Sequence, residues 1–193
     1  MPEKIPRAAA ALIASNFIIF LIVEIFFGSS ENTTVLIRAG GAYVPAIRNG
    51  EWWRLVSAMF LHAGIRHLLN NMLLLYVLGQ HLEMLLGRIR FVILYLVCGV
   101  AANYIAFRWY EFHEEMTVAV GASGAVYAVM GALLFIIIKN KGKARGLSLR
   151  QMLVMLGFSL YFGFVSAGVS NIAHVSGLIA GFVVCIPLYL TKH

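Results

Sequence analysis

The chain has 193 residues, 61% of them hydrophobic and only 12% charged, with a formal net charge of +7. Soluble domains are roughly 45–50% apolar and about 25% charged. A water-soluble globule of this composition would expose large apolar patches. The positive charge does not indicate nucleic acid, because the basic residues fall in loops between apolar runs and form no single face.

A bilayer core of about 30 Å takes roughly 20 apolar residues as a helix. Six runs qualify, at about 8–27, 67–86, 90–107, 120–138, 151–167 and 172–190, and none alternates with the period of a strand. The expected fold is therefore an all-α membrane protein, a six-transmembrane-helix bundle forming a single domain over residues 1–193.

The first run follows Lys4 and Arg7. It is too long for the apolar region of a signal peptide and is expected to be an uncleaved span. The loop after it, about 28–66, is rich in apolar residues such as Tyr43, Trp52, Trp53, Val56 and Phe60. It is too apolar for disorder, so a partly helical element in the outer membrane interface is expected, where Trp and Arg are at home. Span two opens with His67 and Asn71 and closes near His81 and Glu83. Span three carries Asn103, and the loop after it is expected to hold Arg108, Glu111, Glu114 and Glu115. Span four is opened by Gly121-Ala-Ser123-Gly124, with Tyr127 one turn on. Span five is short and contains Gly157, Ser159 and Gly163; span six carries His174, Gly177 and Gly181. Cys98 and Cys185 lie inside apolar runs and resemble no redox or metal motif, so they are read as packing residues.

Six spans put both termini on one side, and the bias of basic residues selects that side. Lys4, Arg7, Arg88, Arg90, Lys139, Lys141, Lys143, Arg145, Arg150 and Lys192 fall on one face, against Arg38, Arg48, Arg54, Arg66 and Arg108 on the other. Both termini are expected to be cytoplasmic, and spans two, four and six then start at the outer face.

Polar groups inside a membrane are costly and mark function. His67 and Asn71, Ser123, and His174 each lie near the start of an even-numbered span, so they converge near one level by the outer boundary. His67 and Asn71 share a helix face, as do Ser123 and Tyr127. Ala173, Gly177 and Gly181 form one stripe of small residues and Gly124, Ala128 and Ala132 another, which lets spans four and six approach closely. Ser123 would then face His174, giving a nucleophile and its base. No carboxylate is placed to orient the imidazole, so the expected unit is a dyad, with Tyr127 the aromatic placed to stack on His174. His67, Asn71 and the Ser123 backbone N–H are candidate oxyanion donors. Gly121 and Gly124 let the backbone approach a substrate.

These residues resemble the rhomboid intramembrane proteases. The resemblance rests on Gly121-Ala-Ser123-Gly124 with Tyr127, His67-x-x-x-Asn71, Ala173-His174-x-x-Gly177-x-x-x-Gly181, the Trp53-Arg54 pair, His62, and Glu83 with Gly87, over about residues 50–185. It implies a six-helix bundle with a short central fourth helix and a water-filled cavity open to the outer side. It also implies cleavage of single-pass membrane proteins near their outer ends, with span five and the loop before span six admitting or capping the substrate. The form implied is minimal and bacterial-type, in the cytoplasmic membrane, with no extra span or sizeable soluble domain; the chain also shows no Arg- and Ser-rich leader of the organellar kind.

Other polar residues are expected to be structural. His62, Trp53 and Arg54 would anchor the first loop, and Glu83 would accept hydrogen bonds from the loop that follows it. Asn16, Glu24 and Asn103 would make helix–helix contacts. A zinc protease is disfavoured because no HExxH occurs, and no metal, nucleotide or other cofactor is expected. The expected partners are transmembrane protein substrates and membrane lipid, not nucleic acid; no pattern reads out the oligomeric state. Two other functions stay open: a catalytically silent rhomboid-like protein that binds membrane clients, and a small transporter. The transporter would place polar residues through the whole depth or carry an inverted repeat, and neither is found.

Overall fold

The apolar runs fold as helices because a helix satisfies its own backbone N–H and C=O groups without help from water. The computed structural model describes residues 6–165 and 169–191. Of the basic residues weighed for orientation, Lys4 and Lys192 lie outside these, as do residues 166 and 167 at the end of the fifth run.

The first run is α1 (Arg7–Phe26). The second is α5 (Gly64–Leu74), a five-residue π-helical turn (Leu75–Gly79) and α6 (Gln80–Leu86). The third is α7 (Arg88–Phe112), the fourth α8 (Ser123–Lys139), the fifth α9 (Leu149–Val165) and the sixth α10 (Asn171–Leu190). By length and composition, α1, α7 and α10 are able to cross a membrane, while α8 and α9 are shorter apolar helices of 17 residues. At 1.5 Å per residue, 17 residues span about 26 Å, a little under a bilayer core. The π turn falls where α1 and α7 press on Gly79: a Cβ there would meet Leu75 at 3.0 Å, and Ala9 and Phe91 each at 3.4 Å.

The long first loop folds into short pieces, α2 (Thr33–Arg38), α3 (Val44–Arg48), α4 (Arg54–Ser57) and a 3-10 turn (Ala58–Phe60). Arg54 holds them together. It is buried, donates from Nη1 to the Ile37 and Gly41 carbonyls at 2.7 and 3.0 Å, and pairs with Glu51 at 2.8 Å. Strand β1 (Ala42–Tyr43) pairs antiparallel with β2 (Val118–Ala119), tying this loop to the approach to α8. A second small hairpin, β3 (Lys143–Ala144) with β4 (Leu147–Ser148), joins α8 to α9.

Several expectations are corrected. The third helix continues to Phe112, so Arg108 and Glu111 belong to helix rather than loop; they pair across one turn at 2.6 Å. The fourth starts at Ser123 rather than near 120, because Val118–Ala119 is paired as strand and Gly121 takes φ +125°. Glu83 accepts not from the next loop but from the Ala8 and Ala9 N–H groups, at 3.1 and 2.8 Å. Those are unsatisfied first-turn donors of α1, and the carboxylate also complements the positive end of that helix. Glu24 binds the first loop instead of a neighbouring helix, through Ser30, whereas Asn103 makes the expected contact between helices by donating to the Leu55 carbonyl of α4. Asn16 gives its amide to the Leu12 carbonyl of its own helix, and its side chain also interacts with the Tyr95 hydroxyl of α7, which is the expected helix–helix contact.

Buried α8 is the centre of the molecule, and its most extensive contact is with α10. The cause is small residues. A Cβ on Gly177 would overlap the Gly124 carbonyl, one on Gly181 the Ala128 carbonyl, and one on Gly131 the Leu178 carbonyl. The two backbones touch, which sets Ser123 and His174 on facing helices near their shared ends. By contrast, α9 buries only Met152 and Gly163 and shows Leu153, Val154, Phe158, Phe162 and Phe164 on its exposed surface.

Candidate active site

Ser123 is the first residue of α8 and is half-buried. Its position is fixed from behind. The Gly121 N–H donates to the Ala58 carbonyl at 2.9 Å, and the Ala122 N–H donates to His62 Nε2 at 3.4 Å. Among the described residues no side chain caps α8, so the first-turn N–H groups, Ser123 among them, lack the usual side-chain acceptor.

His174 lies one turn into α10, almost fully buried. Tyr127 stacks on its ring, with centroids 4.2 Å apart and planes 14° from parallel. The Tyr127 hydroxyl is in turn hydrogen-bonded to Ser159 Oγ of α9 at 2.8 Å. On the Nδ1 side the imidazole meets Gly163: a Cβ there would lie 3.1 Å from that nitrogen. Among the described residues, Nδ1 of His174 has no hydrogen-bond partner. The ring is therefore held by packing.

His67 sits against the same turn, its Nε2 where a Cβ on Gly121 would be only 2.8 Å away. Gly121 thus needs to be glycine twice over, for its positive φ and for the imidazole beside it. His67 Nδ1 accepts the Ala63 N–H at 3.3 Å. A neutral ring bonded in that way carries its proton on Nε2. Asn71 is buried and donates one amide hydrogen to the His67 carbonyl at 2.9 Å, leaving the second available. Gly124 faces Ala102 and Ala173 of α10, so its missing Cβ serves helix packing.

Two cavities meet at Ser123 and His67. One, about 470 Å³, is lined by polar groups including Thr33, Tyr110, Glu115, Thr117 and Ser170. The other, about 620 Å³, is mainly apolar; Asn70 and Leu74 of α5 and Met155, Phe158 and Phe162 of α9 line it, with Asn71, Tyr127 and His174. The arrangement offers a hydroxyl, a neighbouring imidazole and a group of N–H donors at the junction of a polar and an apolar space.

The role of His62 is larger than loop anchoring. Its ring packs edge-on against His67 at 5.1 Å and braces the residue before Ser123. Burial, helped by the neighbouring His67, pushes its pKa down to about 3, so it is a neutral acceptor. Ser159 contacts Tyr127 and Gly163 contacts His174, roles to which the sequence assigns neither residue. The signal in the sequence is the Gly157, Ser159 and Gly163 series of small residues in a short run.

A helical membrane-type fold with a serine and a histidine brought together at the ends of two packed helices defines a class of intramembrane protein. The rhomboid domain matches residues 49–191, and the chain belongs to the rhomboid family. It is 33% identical over 187 residues to rhomboid protease GluP of Bacillus subtilis, covering 97% of this chain and 36% of that protein. It is 28% identical over 194 residues to rhomboid protease AarA of Providencia stuartii, covering 88% of this chain and 68% of the relative. With RHOMBOID-like protein 2 of Arabidopsis thaliana it shares 33% over 161 residues, 81% of this chain and 48% of the relative. The chain thus spans about a third of GluP and half of the plant protein.

Proposed function

We propose that this protein is an intramembrane serine endopeptidase that cleaves single-pass transmembrane proteins near the outer membrane face through a Ser123–His174 dyad. In this reading residues 1–193 form one domain of six spans in a bacterial cytoplasmic membrane, with both termini cytoplasmic. The observation that carries it is the Tyr127–His174 stack in the cleft that also holds Ser123. An imidazole with no carboxylate partner needs another constraint on its plane, and ring packing supplies one.

His174 Nε2 takes the proton from Ser123 Oγ as the oxygen attacks the scissile carbonyl. Charge develops on the carbonyl oxygen, where the Ser123 backbone N–H, the free hydrogen of Asn71 Nδ2 and the His67 Nε2–H act as donors. The imidazolium then protonates the departing amine. Water enters through the polar cavity and attacks the acyl carbon while His174 takes its proton; His174 then returns that proton to Ser123 Oγ as the C–O bond breaks and the carboxylic acid leaves. The apolar cleft between α5 and α9 receives the transmembrane part of the substrate, because lipid-facing side chains leave one apolar environment for another.

The test is cleavage of a single-span reporter by the purified protein in liposomes, beside Ser123→Ala and His174→Ala. Both variants are expected to lose activity to a similar extent, because dyad members act as a unit, with unchanged melting. Asn71→Ala is expected to lose about 10²–10³ in rate. Cleavage surviving in Ser123→Ala removes the proposed nucleophile. No cleavage by the wild type, with no labelling of Ser123 by a fluorophosphonate, favours a silent client-binding protein.

A further inference from the structure

The chain reverses direction at the end of α7 through a turn that glycine usually makes. The Glu115 N–H donates to the Tyr110 carbonyl at 2.9 Å and the Glu114 N–H to the Glu111 carbonyl at 3.2 Å. This is the Schellman pattern, and its left-handed position is filled by Glu114 at φ +56°. A side chain other than glycine costs stability in that conformation. The turn is held further by the Tyr110 hydroxyl, which bonds Ser170 Oγ before α10 at 2.8 Å. Its consequence is to bring Glu115 to the wall of the polar cavity that contains Ser123 and His67.

The three carboxylates of this turn are not equivalent. Glu111 is taken by two guanidiniums, Arg48 at 3.2 Å and Arg108 at 2.6 Å. Glu114 is exposed and lines neither cavity. Glu115 is also exposed but lines the polar cavity, and among the described residues no lysine or arginine lines it with Glu115. Any peptide occupying this space therefore passes the Glu115 carboxylate.

We infer that Glu115 selects substrates by charge, favouring a basic residue over an acidic one in the segment that lies on the water side of the scissile bond. The inference rests on the proteolytic reading above. A substrate whose apolar part occupies the cleft between α5 and α9 and whose scissile carbonyl reaches Ser123 continues into the polar cavity, past Glu115. The distinction acts on kcat/KM, since it concerns the bound segment rather than the reacting atoms.

The experiment uses liposome-reconstituted full chain and a set of single-span reporters. Lys, Ala or Glu is placed in turn at each position on the water side of the cleavage site. For wild type, kcat/KM is expected to be roughly three- to tenfold higher with Lys than with Glu at the best position, the size of one partly exposed charge pair gained for Lys and opposed for Glu. The ratio should shrink as salt rises. Glu115→Gln should bring it close to one and Glu115→Lys should invert it, while Glu114→Gln, one residue away and outside the cavity, should leave it as in wild type. An unchanged ratio in Glu115→Gln, or an equal loss in Glu114→Gln, overturns the inference while the protease reading stands. Failure to cleave any reporter overturns both.

Discussion

Gly181 lies seven residues beyond His174 on α10, about 10 Å down the helix, and touches no part of the candidate site. Its missing Cβ is nevertheless where the Ala128 carbonyl of α8 sits. Replacing it by Ala forces the two helices apart by about 1.6 Å before carbon and oxygen reach ordinary contact near 3.5 Å. Overpacking of this kind costs about 1–3 kcal/mol. Because α8 carries Ser123 and α10 carries His174, the same displacement is expected at the dyad, where a misplacement of about 1 Å lowers rates by about 10²-fold. Gly181→Ala should therefore melt lower in detergent and cleave about 10²-fold more slowly, with both site residues intact. Gly157→Ala is the control: nothing lies within 4 Å of a Cβ there, and Ala is the better helix former by up to about 1 kcal/mol. That variant should melt at or above the wild-type temperature. If Gly181→Ala melts and turns over like wild type, the two backbones are not in contact and the packing account of site geometry is wrong.

Glu83→Ala leaves the Ala8 and Ala9 N–H groups without their acceptor, at about 1–3 kcal/mol each, and should lower the melting temperature more than Glu83→Gln, which keeps one acceptor oxygen. Unchanged melting in Glu83→Ala would show that α1 starts without this cap. Tyr127→Phe and Ser159→Ala keep the ring stack and lose only one hydrogen bond, so turnover should fall within about tenfold; Tyr127→Ala removes the stack and should cost far more. Equal effects of Tyr127→Phe and Tyr127→Ala in reporter kinetics would mean that the ring does not hold His174. His62 is neutral when folded, with a pKa of about 3 against 6.5 when exposed. Between those values the unfolded chain binds a proton that the folded chain refuses, so stability falls as pH falls through that window, by about 1.4 kcal/mol per pH unit. Melting curves at stepped pH should show a shallower acid loss in His62→Gln than in wild type; parallel curves would remove His62 as the source.

The helical segments and the residues worth testing are legible along the chain without its partners. Hydrophobicity needs no partner to be read, so each of the six apolar runs is helical within a few residues of its expected bounds. Small-residue stripes at fixed spacing likewise identified which helices touch, because a glycine's close approach is a local property of its helix face. Ends and connections were decided elsewhere. The start of α8 depends on β2 meeting β1 from far along the chain, and the cap of α1 comes from Glu83, equally distant in sequence. His62 behind Ala122 and Gly163 beside His174 are contacts between segments that share no local pattern. The Glu114 turn ran against propensity, since glycine is the usual residue there, and only its hydrogen bonds reveal it. A carboxylate at 115 was legible as loop charge; that it lines the cavity holding Ser123 follows from the reversal of the chain, which exists only once α7 and α10 are in place.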